Sequence, residues 1–309
     1  MGEPAIQITD LKKQYQGTIA LSSVSFDIKP GEMFGLIGPD GAGKTSLIRI
    51  LTSLLDPDDG QCRLLGISIN NEPEQVRKVI GYMPQRFSLY PDLTVGENLR
   101  FFADLFRVPR QEQLKRTEAL LQFSRLTPFV KRRAGQLSGG MKQKLALSCA
   151  LIHTPKVLIL DEPTTGVDPV SRREFWGILK TLKEGGVTIL VATPYMDEAE
   201  KCDRIALINK GNILAVGTAA EIIERFTGVV YALFGLNLPA IAGWFKKRLH
   251  PNQVQILGDR VHVSLFADTT ETMDSLCREA ENSGHSIRSV EAAEPGLEDT
   301  FISLIVEKN

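Results

Sequence analysis

Cysteine is scarce in this chain. Four occur in 309 residues, Cys62, Cys149, Cys202 and Cys277, far apart and with no paired metal-ligand spacing. That argues against a metal knuckle and fits reduced thiols in a cytosolic protein. Histidine also occurs four times, as His153, His250, His262 and His285, and none has a spacing partner, so these read as surface or capping residues. Trp176 and Trp244 sit in amphipathic helical patterns and read as core. Neither sign of charge dominates: 36 Lys and Arg against 37 Asp and Glu leave a net charge of −1. The bulk electrostatic case for a nucleic-acid partner is therefore missing. Long apolar runs are missing too; none approaches the ~18 residues that span a bilayer. A role at a membrane requires another chain to make the crossing. The stretch MGEPAIQITD has no basic start and no apolar run, and it predicts no signal peptide. Gly2 does not complete a myristoylation motif, because Ile6 stands where Ser or Thr is needed.

What is present is ordinary globular material, 43% hydrophobic and 24% charged, in a chain long enough for two domains. IQITDL and LSSVSFDI alternate, as an antiparallel, half-exposed sheet does; MFGLI is continuous, as a buried strand is. TSLIRILTSLL carries apolar residues at helical spacing up to DPDDG. A mostly helical stretch over about 94–129 follows, with Phe101, Phe102, Phe106 and Phe123 expected largely in its core. VLILD, VTILVAT and RIALIN read as further buried strands separated by helical patterns, which makes the fold α/β with a mostly parallel core sheet. Beyond residue 226 the order becomes β-α-β-β-α-β plus a terminal helix, a ferredoxin-like α+β module. The expected organisation is thus 1–225, with a helical subdomain at about 86–155, and 226–309.

Three stretches carry chemistry. GPDGAGKTS lies between the strand MFGLI and a helix, and it satisfies the phosphate-loop pattern in its required context. Its candidate nucleotide residues are Gly38, Pro39, Asp40, Gly41, Ala42, Gly43, Lys44, Thr45 and Ser46. The glycines let backbone N–H groups turn toward phosphate, and the helix N-terminus adds the positive end of its dipole. Lys44 is placed to reach the β- and γ-phosphates, and the Thr45 hydroxyl to ligate Mg2+. VLILDEP ends a buried strand on Asp161, suited to the magnesium shell, and Glu162, suited to polarising the attacking water. LSGGM, comprising Leu137, Ser138, Gly139, Gly140 and Met141, opens a helix and forms a second anion grip. One triphosphate rarely needs two grips in one fold, so the second is expected to serve a nucleotide held by another subunit.

Taken together and in this order, GPDGAGKTS, LSGGM and LILDEP resemble the ATP-binding cassette of ABC transporters, over residues 1–225. The resemblance implies a P-loop NTPase cassette that uses ATP and Mg2+, with two cassettes closing head to tail around the nucleotide. It implies that Tyr15, in LKKQYQG, stacks on adenine. It also implies that Gln85, in GYMPQ, senses magnesium and links the site to the helical subdomain, and that Asp168, in GVDP, lies in the loop that crosses to the partner cassette. Residues 89–106 resemble the segment that receives a helix of the membrane subunit, with Phe87, Leu89 and Tyr90 as docking candidates. The basic cluster Lys131, Arg132 and Arg133 reads as a solvated face, with inner-leaflet phospholipid as a potential neighbour.

Two departures refine this. Met141 stands where the family usually has glutamine, a variant that, like the C-terminal extension, resembles the drug-exporter and ABC-2-type branch. Pro194, in VATPYMDEAE, stands at the switch position where the family has a histidine contacting the γ-phosphate. The expectation is an ATPase subunit of an ABC exporter at the cytoplasmic face of the membrane, paired with an identical or a different cassette and with an ABC-2-type permease. Pro194 is expected to weaken its ATPase activity. Two rivals use the same residues: a low-turnover regulatory cassette, and a soluble cassette ATPase acting on DNA or ribosomes. The missing coiled-coil insertion and the near-neutral charge speak against the last.

Overall fold

The protein is described here by a computed structural model covering residues 2–86, 89–266 and 271–306. The chain divides into two units, Met1–Val216 and Gly217–Asn309.

In the first unit, β1 (Ile6–Tyr15) and β2 (Thr18–Ile28) form an antiparallel hairpin. Gln16 and Gly17 turn it with φ of 42° and 89°, the left-handed conformation that a tight hairpin turn needs. β3 (Met33–Ile37) runs into the phosphate loop and α1 (Lys44–Leu51). β4 (Asp59–Leu64) and β5 (Ile67–Ser68) complete a four-stranded sheet in the order β2-β1-β4-β5. α2 (Pro73–Val79) and β6 (Ile80–Met83) lead to the helical segment: α3 (Val95–Leu105), α4 (Arg110–Phe123) and α5 (Gly139–Leu151). β7 (Val157–Asp161), α6 (Pro169–Glu184), β8 (Thr188–Thr193), β9 (Arg204–Asn209) and β10 (Asn212–Gly217) finish the unit. The second sheet is six-stranded, ordered β10-β9-β3-β8-β7-β6, and its β9/β3, β3/β8, β8/β7 and β7/β6 pairs are parallel.

The continuous apolar runs are explained by two-sided burial, as in parallel sheets generally. Side chains alternate across a strand, and here each face meets a different core. Phe34, Leu36, Val157, Ile159, Leu190 and Ala192 face the antiparallel sheet and α1. Met33, Leu158, Leu160, Ile189 and Val191 face the helical segment and α6. The capping box of Thr94 and Glu97 starts α3. Phe102 and Phe123 pack against this second core, but Phe101 is exposed and stacks edge-on with Tyr90 instead.

Several details differ from the sequence reading. α1 stops at Leu51, before DPDDG, because Ser53 turns left-handed (φ 55°) and Leu54 N–H closes back onto Arg49 O at 2.8 Å. β6 was not foreseen: it has four residues, and Gly81 within it lies so close to Ala150 O that a Cβ would meet it at 2.6 Å. His153 is half-buried, with Nε2 2.8 Å from Ile80 O and its ring stacked on Phe106; burial holds its pKa below the usual histidine value.

In the second unit, α7 (Ala219–Ile223) packs against α10 (Leu297–Val306). Between them come β11 (Gly228–Gly235), α8 (Leu238–Phe245), β12 (Val254–Leu257), β13 (Arg260–Phe266), α9 (Met273–Asn282) and β14 (Ile287–Ala293). The antiparallel sheet is ordered β12-β13-β11-β14, the split β-α-β arrangement. His250 caps the 3-10 turn before β12, and Trp244 is half-buried on the edge of this unit's core. The boundary drawn at residue 225 from composition lies beyond α7, whereas the contacts place α7 with the C-terminal unit.

Candidate functional site

The phosphate loop sits where β3 delivers the chain to the carboxyl edge of the parallel sheet, the usual ligand edge of open α/β folds. Two of its glycines are required by close approach. A Cβ on Gly38 would meet Ile208 O at 2.2 Å; one on Gly43, whose φ is 108°, would meet Ala20 O at 2.4 Å. α1 begins at Gly43 with no side-chain cap, which leaves its first N–H groups available to an anion.

Lys44 is buried, and its ammonium donates to Gly38 O at 2.7 Å and Pro39 O at 3.0 Å. It also lies 3.3 Å from Glu162 Oε1 and 4.0 Å from Asp40 Oδ1. Thr45 Oγ1 donates to Asp161 Oδ1 at 3.4 Å. Asp161 Oδ2 is buried with no partner, and burial pushes this carboxyl above the usual carboxylate range while the Thr45 hydroxyl pulls the other way. Such an orphaned carboxylate oxygen beside a hydroxyl is a hard-oxygen set that fits a magnesium ion. Among the described residues no group of three or more His, Cys, Asp or Glu is placed to cage a metal. The fit is therefore to an ion that takes its remaining ligands from water and phosphate.

Glu162 adopts φ 49°, a left-handed conformation uncommon outside glycine, and its N–H donates to Ala192 O at 2.9 Å. Its Oε2 accepts from Gln85 Nε2 at 2.8 Å and from Thr165 Oγ1 at 3.3 Å. Thr165 was not singled out from sequence, although it is only three residues past Glu162. β6 is what carries Gln85 to the carboxylate.

A cleft of about 320 Å3 joins Tyr15, Asp40, Gly41, Gly43, Lys44, Thr45, Ser46, Gln85 and Glu162. Thr18, Ile19 and Ala20, unforeseen, line it as well, brought in by the hairpin after Tyr15. Tyr15 is 41% exposed at its mouth, with the Lys13 ammonium 5.7 Å from the ring centre. Ala42 is buried and accepts from Gly211 N at 2.9 Å, anchoring the loop from behind.

Other predicted residues lie outside this cleft. Leu137 is buried; the Ser138 hydroxyl caps α5 by accepting from Met141 N at 3.4 Å. Gly139 follows it, and Gly140 packs so closely on Ser171 that a Cβ would meet that side chain at 2.5 Å. None of residues 137–141 lines the cleft around Lys44. Asp168 caps α6 through Oδ1, accepting from Val170 N at 3.1 Å and Ser171 N at 2.9 Å; the Ser171 N–H bond leads in holding its carboxyl below the usual range. Pro194 is half-buried just beyond β8, next to Thr193, whose carbonyl accepts from Gly38 N at 3.3 Å. The hydroxyl of Thr193 accepts from Tyr195 N at 3.1 Å, and the Tyr195 ring lies beneath the Arg172 guanidinium at 4.2 Å. The neighbours of Pro194 are thus engaged locally, and neither lines the cleft around Lys44.

Of the docking candidates, Phe87 lies outside the described residues, Tyr90 is 46% exposed, and Leu89 is buried. Leu89 lines an apolar groove of about 240 Å3 together with Ile80, Met83, Phe102, Phe106 and Ala150.

The sequence pattern of the family described as ABC transporter matches residues 21–165. The chain is 44% identical over 230 residues to the "Probable multidrug ABC transporter ATP-binding protein YbhF" of Escherichia coli, covering 74% of this chain and 40% of that one. It therefore spans less than half of YbhF. It is 34% identical over 304 residues to the linearmycin resistance ATP-binding protein LnrL of Bacillus subtilis, covering 97% of each. Among solved structures, the dimeric ATP-binding cassette MJ0796 in a post-hydrolysis state with ADP and Pi matches with a TM-score of 0.64 and 29% identity. That match covers 69% of this chain and 98% of MJ0796.

Proposed function

The chain belongs to the ABC transporter family, and on that premise we propose that it is the ATP-binding and ATP-hydrolysing subunit of an exporter. It drives a separate permease through nucleotide-dependent pairing of two cassettes. The observation that carries this is the buried Lys44 held between the carbonyls of its own loop and Glu162 Oε1, 3.3 Å away.

Phosphate entering the loop competes for that ammonium and is met by the free N–H groups of α1. Gln85 and Thr165 hold Glu162 Oε2, which leaves Oε1 as the oxygen that takes a proton from the attacking water. Thr45, Asp161 and Gln85 would hold Mg2+, which would supply charge neutralisation to the phosphates when bound. Tyr15, at the cleft mouth, offers its ring face to the adenine. The signature residues 137–141 lie apart from the cleft, so they serve the nucleotide of a second cassette, identical or different, while Asp168 sits on the loop that meets it.

An ABC-2-type permease is the partner we favour. Support comes from Met141 and from the match to LnrL, which runs through the C-terminal unit as well as the cassette. The apolar groove beside Leu89 suits a helix of that permease. Attachment at the cytoplasmic face runs through that permease; among the described residues no helix is long and apolar enough to cross a membrane. Phosphate release by the purified chain, and its recovery with a polytopic membrane protein from its host, test the reading together. No ATP-dependent phosphate release, alone or with the permease, would sink it.

A further inference from the structure

Glu198 is fully buried in the 3-10 turn Met196–Lys201, four residues beyond Pro194, and it takes no part in the nucleotide cleft. Its Oε1 accepts from Thr164 Oγ1 at 2.6 Å and Trp176 Nε1 at 3.1 Å, and lies 3.4 Å from Arg172 Nε. Its Oε2 is buried with no partner among the described residues. Packing alone does not account for such a group, because a buried carboxylate loses hydration that an apolar side chain never had. What it does supply is one atom on which three separate segments converge.

The loop among these segments carries the residue proposed as the base. Thr164 stands in the middle of the loop 162–168, between Glu162 and Asp168. Arg172 and Trp176 belong to α6, whose N-cap is Asp168, and Arg172 N donates to Asp168 O at 2.9 Å. Glu198 lies on the stretch after Pro194, where Arg172 also covers the Tyr195 ring and lies 3.5 Å from Asp197 Oδ2. Glu162 needs such support, since its φ of 49° persists only where the surroundings hold it. The bond from Glu162 N to Ala192 O secures one side of that residue; the bond from Thr164 to Glu198 secures the loop two residues later.

We propose that Glu198 is a positioning residue for ATP hydrolysis: through Thr164 it anchors the loop that carries Glu162 and Asp168 to the segment beyond Pro194. The proposal rests on the reading of Glu162 as the base. Three variants test it, with ATP affinity, kcat and thermal stability measured for each. Thr164→Val should lower kcat by ~10-fold or more, the scale of a small misplacement of a catalytic group, with ATP affinity unchanged. Thr164→Ser should restore kcat. Trp176→Phe removes a donor to the same oxygen from α6 and not from the loop, so it should lower stability and leave kcat as it was. Should Thr164→Val fail to fold, Thr164→Ala takes its place. Parental kcat in the Thr164 variant, or an equal loss of kcat in Trp176→Phe, would overturn the anchor and leave the network a role in folding only. Glu162→Gln measured alongside separates the premise: parental turnover there would overturn the base assignment itself.

Discussion

The Lys44 ammonium lies 3.3 Å from Glu162 Oε1, and both side chains are buried. The residue proposed to meet the phosphates and the residue proposed to activate water are therefore in contact across the ends of β3 and β7. On that proposal, a phosphate that draws the ammonium toward itself also frees the oxygen assigned to accept the proton.

Lys44→Ala should weaken ATP binding by ~10-fold or more, since a charge-assisted hydrogen bond contributes about 1.5–3 kcal/mol. Calorimetric titration checks this, and an unchanged affinity would remove the phosphate-loop assignment.

Glu162→Gln keeps the acceptor for Gln85 and Thr165 but removes the proposed base. Turnover should fall by ~10²-fold or more while ATP binding and ATP-dependent pairing persist. Steady-state phosphate release with sizing in ATP reads both; a parental rate would require another base.

Pro194 has no donor to offer developing charge on the γ-phosphate, and such a donor contributes on the order of 10²–10³ in rate. Basal ATPase activity should therefore be weak, and Pro194→His should raise it by ~10-fold or more if that position again reaches the phosphate. Tyr195→Phe should leave the rate unchanged, because the ring is committed to Arg172. A fast parent enzyme indifferent to Pro194→His would mean that the γ-phosphate is held by another route.

Burial raises the pKa of Asp161 in the folded protein above its unfolded value of 3.8. A raised carboxyl pKa contributes stability below the unfolded value, and that contribution is lost as pH rises through the folded value. Asp161→Asn should therefore stabilise the nucleotide-free protein at neutral pH, because the amide carries no charge that burial penalises. The gain should fade toward pH 4, near the unfolded value of 3.8. Melting curves in chelator from pH 4 to 8 decide it, and a gain that does not change with pH would refute the electrostatic account.

Among the described residues, those lining the cleft around Lys44 all belong to the first unit. A chain ending at residue 226 should fold and bind ATP with parental affinity, at some loss of stability. Calorimetry on the truncated chain is the check. A soluble truncated chain unable to bind nucleotide would show that the cassette depends on the C-terminal unit.

Much of this protein is determined by sequence alone, and the legible parts share a physical cause. β3, β7 and β8 stand out as apolar runs because both faces of each are buried. GPDGAGKTS is legible because a backbone that wraps phosphate admits little besides glycine at Gly38 and Gly43, where a Cβ would strike a carbonyl. The order of the C-terminal strands can be read because turns and alternation punctuate it. Other features were decided only by the tertiary structure. β6 is four residues long and takes its strand identity from pairing with β7, yet it is what brings Gln85 onto Glu162, 77 positions away. Thr164 meets Glu198 across 34 positions, and nothing local to either residue announces the bond. Local patterns record what each segment buries; they do not record which distant polar groups must share that burial. That pairing is set when the sheet closes, because a buried donor or acceptor has to find its partner inside the fold.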